Sequence, residues 1–341
     1  NVSIGSLGTG EFAFHDNEFI GEGSYPVYLA VNHATRERLS EIYNRNTFTG
    51  YSQVNSLLLG GTVSENLEIP VGHYATNGIG VNSDAVLVIE AGTELYFSSN
   101  AGLTVSGSVK IQGTEDMPVI ISGYAGEDAW EGVINRTGYM SGVRINEGGV
   151  LKAEYTKFRN MQGAYVRETY RSADDPNSIR TNYYYDYYYG GIYVLGMAEL
   201  DTCEVYSTCY IKDTTNTYTW HANIYKYHTN AVEVVGAGVL DVKNSEMVCS
   251  HETALAVSGS ESAVVVNNSK LIANQSALVV NQSGTAAVSI KNSTLCGKTN
   301  NTINITEEGR FVFTGNTVAG GTYNVSIGSL GTGEFAFHDN E

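Results

Sequence analysis

The sequence predicts an all-β chain wound as a right-handed parallel β-helix (a β-solenoid), and two repeats of different length indicate it. The first is a duplication: residues 1–18 and 324–341 both read NVSIGSLGTGEFAFHDNE, so the 341-residue chain holds one 323-residue unit and the start of the next. The second is a period of about 22–25 residues inside the unit. Such self-similarity is typical of arrays in which each repeat buries its apolar face against its neighbours.

The short period appears as three series of apolar positions at nearly constant spacing. The first series has spacings of 24, 24, 23 and 24 residues and consists of Val242, Val266, Ile290, Phe313 and Phe337. The second consists of Met247, Leu271, Leu295 and Val318, and the third of the runs at 255–257, 278–280, 303–305 and 325–327. Alternating apolar and polar residues bounded by Gly, Asn or Ser are typical of short strands joined by turns. One period therefore predicts one coil, whose strands pair with those of the next coil about 4.8 Å away.

The short period also runs through the duplication in register. Residues 306–327 lead into the second copy of the duplicated segment, and the strand that should follow the run at 325–327 is the run VYL at 27–29. A fused tag would break this register, so the sequence favours one helix that is continuous across repeats. We predict that residues 1–323 form one solenoid unit and that residues 324–341 begin the next. If the units are separate chains, they would associate head to tail through their strand edges.

The composition excludes several classes of partner. The net charge is −17, whereas binding to the phosphates of a nucleic acid needs a basic surface. No run approaches the roughly 20 apolar residues of a membrane helix. The four cysteines, Cys203, Cys209, Cys249 and Cys296, lack metal-ligand spacing, and both a Cys203–Cys209 bridge and buried free thiols are open. We predict no cofactor and no metal site.

One stretch carries a family resemblance. Residues 86–134 contain IEAGT, GLTVSG, PVII and WEGVI in this order, and NTFTG stands at 46–50. This pattern resembles a recurring segment of right-handed parallel β-helix surface proteins of bacteria and archaea. The resemblance implies the pectate-lyase-like fold. Because that fold family contains pectate lyases and polygalacturonases as well as non-enzymatic adhesins and stalk proteins, the resemblance leaves the activity open.

Two insertions that are rich in tyrosine interrupt the regular coils. They span about residues 167–189 and 212–229 and lead into equivalent strands at 192–194 and 232–234, so we expect them to protrude from one flank of adjacent coils. The candidate contact or glycan-binding residues are Tyr183, Tyr184, Tyr185, Tyr187, Tyr188, Tyr189, Tyr218, Trp220 and Tyr225. Aromatic side chains with polar tips suit both sugars and protein contacts. Three roles are open: packing of the loops themselves, lateral contacts between filaments or chains, and glycan binding.

Three further features follow from local patterns. Residues 33–43 combine mixed charges with a helical composition and predict a short surface helix. Asn244, Asn268 and Asn292 recur every 24 residues at one turn and predict an internal ladder of hydrogen-bonded asparagines. Asn292 also lies in an Asn-x-Ser/Thr sequon, but an internal position would make it a poor glycan acceptor. The candidate N-glycosylation sites are Asn135, Asn267, Asn274, Asn281, Asn300 and Asn304.

The sequence contains no recognised catalytic motif. It lacks GxSxG, HExxH, CxxC and a phosphate-binding loop. Asp174, Asp175 and Asp186 lie in the insertions with His221 and are the carboxylates that a glycosidase would need, but their spacing fixes no geometry. We therefore predict a structural protein that is not an enzyme, a repeating segment of a giant extracellular or cell-surface fibre. The alternative is a β-helix that binds or cleaves polysaccharide through the tyrosine-rich flank.

Overall fold

Nearly all of the regular secondary structure is parallel β-strand. The computed structural model describes the chain apart from residues 1, 6–12, 22–24, 51–56, 99–100, 124–139, 162–164, 172–181, 189–190, 208–215, 219–220, 224–229, 282–285 and 330–332. The described strands stack in three parallel ladders, numbered 1 to 3 in the order in which the chain visits them. We call a segment that visits each ladder once a coil. This stacking of parallel strands is consistent with a parallel β-helix.

Ladder 1 is a ten-stranded sheet in which each strand pairs in parallel with its counterparts in the neighbouring coils. Its strands are Leu67–Ile69, Val86–Glu90, Ser108–Gln112, Val150–Glu154, Met197–Asp201, Val239–Lys243, Ala263–Asn267, Ala287–Lys291, Arg310–Thr314 and Phe335–His338. The register aligns the first apolar series of the sequence in one column, made of Val242, Val266, Ile290, Phe313 and Phe337.

Ladders 2 and 3 belong to one 20-stranded sheet, because the long strands Leu57–Val63 and His73–Val81 run through both. The other strands of ladder 2 are Glu94–Phe97, Val119–Gly123, Thr156–Arg159, Glu204–Ser207, Glu246–Cys249, Lys270–Ala273, Thr294–Gly297 and Thr317–Gly320. Those of ladder 3 are Gly102–Val105, Gly142–Ile145, Ile192–Val194, Val232–Val234, Leu255–Val257, Leu278–Val280, Ile303–Ile305 and Val325–Ile327. Val2–Ile4 and Val27–Ala30 stack on the first half of Leu57–Val63, and the register of that half continues into ladder 2. A separate parallel pair joins Glu18–Ile20 to Thr47–Thr49, and Val31–His33 forms a 3₁₀ turn.

The coils are of two lengths. Regular coils advance by 20 to 24 residues between paired strands of ladder 1, close to the sequence period. Three successive coils advance by 42, 47 and 42 residues instead. In all three, the additional residues lie between the ladder 2 strand and the ladder 3 strand. The sequence indicated the second and third of these insertions but not the first, which includes residues 124–139.

Side chains that alternate inward along the strands form one apolar core. In the strand Ala263–Asn267, Val266 is fully buried, whereas the adjacent Val265 is 46% exposed. Burial of an aliphatic side chain of this size contributes about 1.5–3 kcal/mol. A single coil has no partner for its inward face, so the stacking of coils stabilises the chain.

A helix replaces one strand of ladder 1. It spans Arg36–Asn44 (α1), begins and ends slightly later than the predicted residues 33–43, and packs beside the strand Leu67–Ile69. Leu39 and Ile42 lie three residues apart on one face of the helix and are fully buried. The outer face of α1 carries the exposed Arg36, Glu37 and Asn44, and its apolar face contributes to the core.

The asparagines predicted as an internal ladder are on the surface. Asn244, Asn268 and Asn292 are exposed and have φ angles of 50°, 48° and 49°, a left-handed conformation that asparagine tolerates. Asn268 Nδ2 donates to Asn244 Oδ1 at 2.7 Å, whereas Asn292 Nδ2 donates to Asn267 Oδ1 at 3.3 Å. The predicted position is wrong, and the hydrogen-bond series changes partner after one step.

The buried polar ladder lies one residue further along the chain. Ser245, Ser269 and Ser293 are each 4% exposed. The N–H of Ser245 donates to Ser269 Oγ, and the N–H of Ser269 donates to Ser293 Oγ, both at 3.1 Å. The N–H of Ser293 donates to Asn316 Oδ1 at 2.9 Å, so an asparagine continues the series. The ladder gives partners to backbone donors that the turn would otherwise bury unpaired.

This ladder gives a testable prediction. We expect Ser269→Ala to lower the free energy of unfolding by about 1–3 kcal/mol, because it removes the acceptor of the buried Ser245 N–H. The adjacent Asn268→Gly is the matched control, since glycine adopts the left-handed conformation readily, and its effect should stay within about 0.5 kcal/mol. Urea unfolding followed by circular dichroism measures both. Equal losses in the two variants would contradict a ladder built on the serines.

Candidate functional site

The duplicated segment is a candidate site because its two copies have neighbours on different sides. We call residues 1–18 the first copy and residues 324–341 the second copy. Their local structures agree in part: Val2–Ile4 and Val325–Ile327 are both strands of the 20-stranded sheet, and Asp16 and Asp339 have φ angles of 59° and 58°. Phe335–His338 is a strand, whereas the equivalent residues 13–15 are not. A comparison of their contacts therefore shows which bonds a coil of this sequence makes with the coil before it and with the coil after it.

In the 20-stranded sheet, the two copies make equivalent backbone hydrogen bonds to opposite neighbours. The N–H of Ile303 donates to the carbonyl of Asn324 at 3.0 Å, so the second copy pairs with the preceding coil. The N–H of Val2, which corresponds to Val325, donates to the carbonyl of Pro26 at 2.7 Å, so the first copy pairs with the following coil. Both bonds link the first residue of a strand to the residue before the next strand of the ladder.

The backbone at the end of the duplicated segment shows the same division. The N–H of Glu341 in the second copy donates to the carbonyl of Asn316 in the preceding coil at 2.8 Å. The carbonyl of Asn17 in the first copy accepts from the N–H of Thr47 in the following coil, also at 2.8 Å. Because Asn17 corresponds to Asn340, these are successive bonds of one series.

The buried asparagines show most clearly how the contacts are shared. Inside the stack, Asn316 Nδ2 donates to the carbonyl of Ile290 in the preceding coil and to Asn340 Oδ1 in the following coil, both at 2.9 Å. Asn340, in the second copy, makes the bond to the preceding coil: its Nδ2 donates to the carbonyl of Phe313 at 3.0 Å.

Asn17, the equivalent of Asn340 in the first copy, makes the bonds to the following coil. Its N–H and its Nδ2 donate to Asn46 Oδ1 at 3.1 and 2.8 Å. Asn316 donates in the same way to Asn340 Oδ1, at 3.0 and 2.9 Å. The two copies together thus reproduce the bonds that Asn316 makes to the preceding and the following coil.

Aromatic rings also contact one another in both copies. Phe337, in the second copy, contacts Phe313 of the preceding coil and Phe335 of its own coil, with ring centroids 5.9 and 6.3 Å apart. Its equivalent in the first copy, Phe14, stacks on Phe19 of the same coil at 5.9 Å, and Phe19 stacks on Phe48 of the following coil at 5.3 Å. Phe313 is fully buried, whereas Phe337 is 38% exposed.

These contacts define a geometry for the unit. Eleven strand pairings of the 20-stranded sheet separate Val2–Ile4 from Val325–Ile327, with a shift along the strand Leu57–Val63. With an inter-strand distance of about 4.8 Å, one unit advances by about 53 Å along the stack. Ladder 1 differs near the first copy, because residues 13–15 form no strand and the following coil supplies α1 instead of a strand.

The tyrosine-rich insertions contain β-hairpins. The first pairs Tyr165–Arg171 with Asn182–Tyr188, and the second pairs Asn216–Tyr218 with His221–Asn223, both antiparallel. The candidate residues in these strands are Tyr183, Tyr184, Tyr185, Tyr187, Tyr188 and Tyr218. The remaining candidates, Tyr189, Trp220 and Tyr225, lie outside the described residues, as do Asp174 and Asp175.

The insertions arise beside one another. The strands that follow them, Ile192–Val194 and Val232–Val234, are direct neighbours in ladder 3, which agrees with a common flank. The insertion that the sequence reading missed leads into Gly142–Ile145, the neighbour of Ile192–Val194 on the other side. Three adjacent coils therefore carry long connections at one corner. The length of its coil was the available signal for the missed insertion.

The sequon asparagines divide by exposure. The exposed ones are Asn267, Asn281 and Asn300, the half-buried ones are Asn274 and Asn304, and Asn135 lies outside the described residues. Asn292 was expected to be a poor acceptor because of an internal position. It is exposed, because the left-handed turn places the following serine in the core instead.

Few other groups suggest chemistry. Across the described ranges, no three His, Cys, Asp or Glu side chains lie close enough to hold a metal ion, and no helix has the length and apolar character of a membrane span. Cys203 and Cys249 are free, buried thiols, and burial raises the pKa of Cys203 to about 12 and that of Cys249 to about 11. Cys209 lies outside the described residues, and Cys296 is a half-buried free thiol.

A cavity of about 360 Å³ lies at the turn between ladders 1 and 2 and is lined by Glu115, Pro118, Tyr155, Thr156, Lys157, Thr202 and Glu204. Glu204 accepts from Arg159 Nη2 at 2.9 Å and lies 3.4 Å from Lys157 Nζ. Burial by itself would raise the pKa of Glu204, but the hydrogen bond from Arg159 and the charge of Lys157 outweigh it and hold the pKa below its usual range.

A pH dependence follows from this carboxylate. A depressed pKa in the folded state contributes stability that is present above the unfolded-state pKa of about 4.3 and is lost as the pH falls through the folded-state pKa. We expect Glu204→Gln to lower the free energy of unfolding at pH 7 by at most about 1 kcal/mol, and the difference from the parent chain to shrink below about pH 4.3. Urea unfolding at both pH values measures it, with Glu261→Gln on an exposed turn as the control. A difference that grows in acid would contradict the assignment.

The comparisons with known proteins gave no match to a family model, to a curated protein or to a solved structure. The function is therefore inferred from the geometry of the chain, above all from the hydrogen bonds that the two copies make to their neighbouring coils.

Proposed function

We propose that the chain is a repeating segment of a long extracellular or cell-surface fibre. The fibre would be one continuous right-handed parallel β-helix, in which each 323-residue unit passes into the next without a linker. The observation that carries this proposal is that the two copies of the duplicated segment divide the contacts of one internal rung between them. In an array, each junction rung has coils on both sides and makes all of these contacts at once.

Two physical arguments support the details. Crossover connections between parallel strands are right-handed in about 98% of cases, which favours the right-handed form. A chain that stabilises itself by stacking coils gains core with every coil added, and a junction in register adds no unpaired edge. The exposed sequons suit a glycosylated surface, and the tyrosine-rich hairpins, which recur once per unit, are suited to lateral contacts between fibres or to glycans.

Electron cryo-microscopy of a chain of four consecutive units tests the proposal. We expect straight fibres without constrictions at the junctions, an axial repeat of about 53 Å and a strong reflection near 4.8 Å along the axis. Separate particles joined by flexible connections, or a repeat that is no multiple of the strand spacing, would reject the continuous helix. Binding of a glycan array by a single unit, together with release of reducing sugars, would support an enzyme or lectin instead.

A further inference from the structure

We propose that two copies of this chain pair side by side through the outer face of ladder 1, with their stacks running in opposite directions. The partner is a second copy of this chain. The interface is formed by the six consecutive strands of ladder 1 from Val86–Glu90 to Ala263–Asn267. The pairing goes beyond the proposed function, because a single unit contains the whole surface.

The outer face of ladder 1 carries an ordered column of charges. The parallel register places the middle residues of the six strands in one line, which we call the charged column. The column reads Val88, Lys110, Lys152, Glu199, Asp241 and Val265. Along each strand, the residues before and after the column are buried, so the column faces outward. Two positive charges are thus followed by two negative charges, with a valine at each end.

This order of charges is unfavourable within one chain. Lys110 is the register partner of Lys152, and Glu199 is that of Asp241, and like charges opposite each other on adjacent strands destabilise a sheet. At the centre of the column, Lys152 Nζ lies 2.8 Å from Glu199 Oε2, and Lys243 Nζ lies 3.2 Å from Asp241 Oδ2. Both like-charged neighbours nevertheless remain side by side, so a facing column of opposite charge would stabilise the sheet.

A second copy in the reverse direction supplies such a column. A two-fold axis that runs parallel to the strands, midway between Val150–Glu154 and Met197–Asp201, reverses the order of the charged column. The facing pairs are then Lys152 with Glu199, Lys110 with Asp241, and Val88 with Val265. A two-fold axis parallel to the stack would place each charge opposite its own copy. The charges therefore favour the antiparallel arrangement.

Apolar side chains adjoin the charged column and leave the face accessible. Val239 and Val265 are 37% and 46% exposed and lie in neighbouring strands of this face. In the antiparallel pair, Val150 of one copy faces Met197 of the other. The connections at both ends of the six strands have at most six residues, and the three long insertions join ladder 2 to ladder 3 instead. No long connection therefore begins or ends at a strand of this face.

The contact between two single units is small. Six strands of five residues cover about 29 Å by about 17 Å, so the pair would bury about 1,000 Å² in total, which is typical of transient contacts. Glu154 would face Asp201 at the margin, where water screens the repulsion because Glu154 is exposed. In the proposed fibre, the surface recurs once per unit, so antiparallel fibres would add these contacts along their length.

Exchange of one charge in each half of the column tests the pairing. In the 341-residue chain, we expect Lys110→Glu and Asp241→Lys each to weaken self-association at least about tenfold, because each brings like charges face to face. An equimolar mixture of the two variants should regain the affinity of the parent chain, and so should the chain with both substitutions. Residues 110 and 241 are three strands, about 14 Å, apart within one chain, so no contact inside a chain explains such a recovery.

Sedimentation velocity over a concentration series measures the association. Lys298→Glu, on an exposed turn, makes the same change of net charge as Lys110→Glu and should leave the association unchanged. Carbodiimide, which joins a lysine directly to a carboxylate, gives a second readout. We expect it to link Lys110 to Asp241 between two copies of the parent chain, as identified by mass spectrometry of the dimer.

Three results would overturn the pairing. One is a parent chain that stays monomeric throughout the series and gives no Lys110–Asp241 link. Another is a loss of association in both variants without recovery in their mixture. The third is association that none of the substitutions changes, which would place the contact on another surface, such as the tyrosine-rich hairpins. Circular dichroism checks that each variant is folded. The four-unit chain tests the continuous helix independently, so the pairing can fail while the fibre proposal stands.

Discussion

Val266→Lys should unfold the chain or lower its free energy of unfolding by several kcal/mol. Val266 is fully buried and lies in the column of ladder 1 between Val242 and Ile290, so a lysine there would place an ammonium group among aliphatic side chains. A buried charge without a partner costs far more than the burial of one valine contributes. Val266→Lys should therefore lower the free energy of unfolding more than Ser269→Ala or Glu204→Gln does.

The adjacent Val265→Lys is a matched control, because the same change is made in the same strand on the opposite face. Val265 is 46% exposed and is the register partner of Asp241 in the neighbouring strand. A lysine there remains in water beside a carboxylate, and we expect a change within about 0.5 kcal/mol. Urea unfolding followed by circular dichroism measures both variants. Similar losses at both positions would mean that the strand does not alternate between core and solvent.

The cost of Phe337→Ala should depend on whether a further unit follows. In the 341-residue chain, Phe337 is 38% exposed and contacts the rings of Phe313 and Phe335, so we expect a loss of about 1 kcal/mol or less. In a two-unit chain, the proposed junction buries the same phenylalanine between Phe313 and the next unit's equivalent of Phe19, and we expect about 3–5 kcal/mol. Aromatic contacts on both faces and full burial account for the difference.

This comparison distinguishes a continuous helix from separately folded units that are joined by flexible linkers. The measurement is the urea unfolding of the one-unit and two-unit chains, each with and without the substitution, together with the hydrogen exchange of the ladder 3 amides around the junction. Phe313→Ala, which removes a ring that is buried in both chains, is the control and should cost about the same in each. An equally small cost of Phe337→Ala in both chains would show that the junction rung has no forward neighbour.

Much of the fold could be predicted from the sequence because strands alternate. With a side-chain period of two, the spacing of Val266 from Ile290 and Phe313 was enough to align the coils and to assign inward positions. The duplicated segment could be recognised in the same way, since its phenylalanines continue the column. Neither inference depends on the backbone conformation of the turns.

The turns are where the sequence reading failed. From Val266, strict alternation would place Asn268 inward, but the left-handed φ of 48° at Asn268 shifts the phase by one residue and places Ser269 in the core instead. The same shift moves Asn292 to the surface. A change of phase at one turn residue depends on how the next coil accepts its hydrogen bonds, and a single sequence does not contain that information.

The sequence by itself determined the coil period, the inward column and the recurrence of the unit after 323 residues. These follow from local alternation and from identity between segments, which are properties of the chain as written. Only the tertiary structure decided that α1 fills a place in ladder 1, that serines form the buried ladder, and which residues of the neighbouring coils bond to Asn17 and Asn340. The physical reason is that these features depend on contacts between coils, and a residue's partner in the next coil is fixed by packing rather than by its neighbours in sequence.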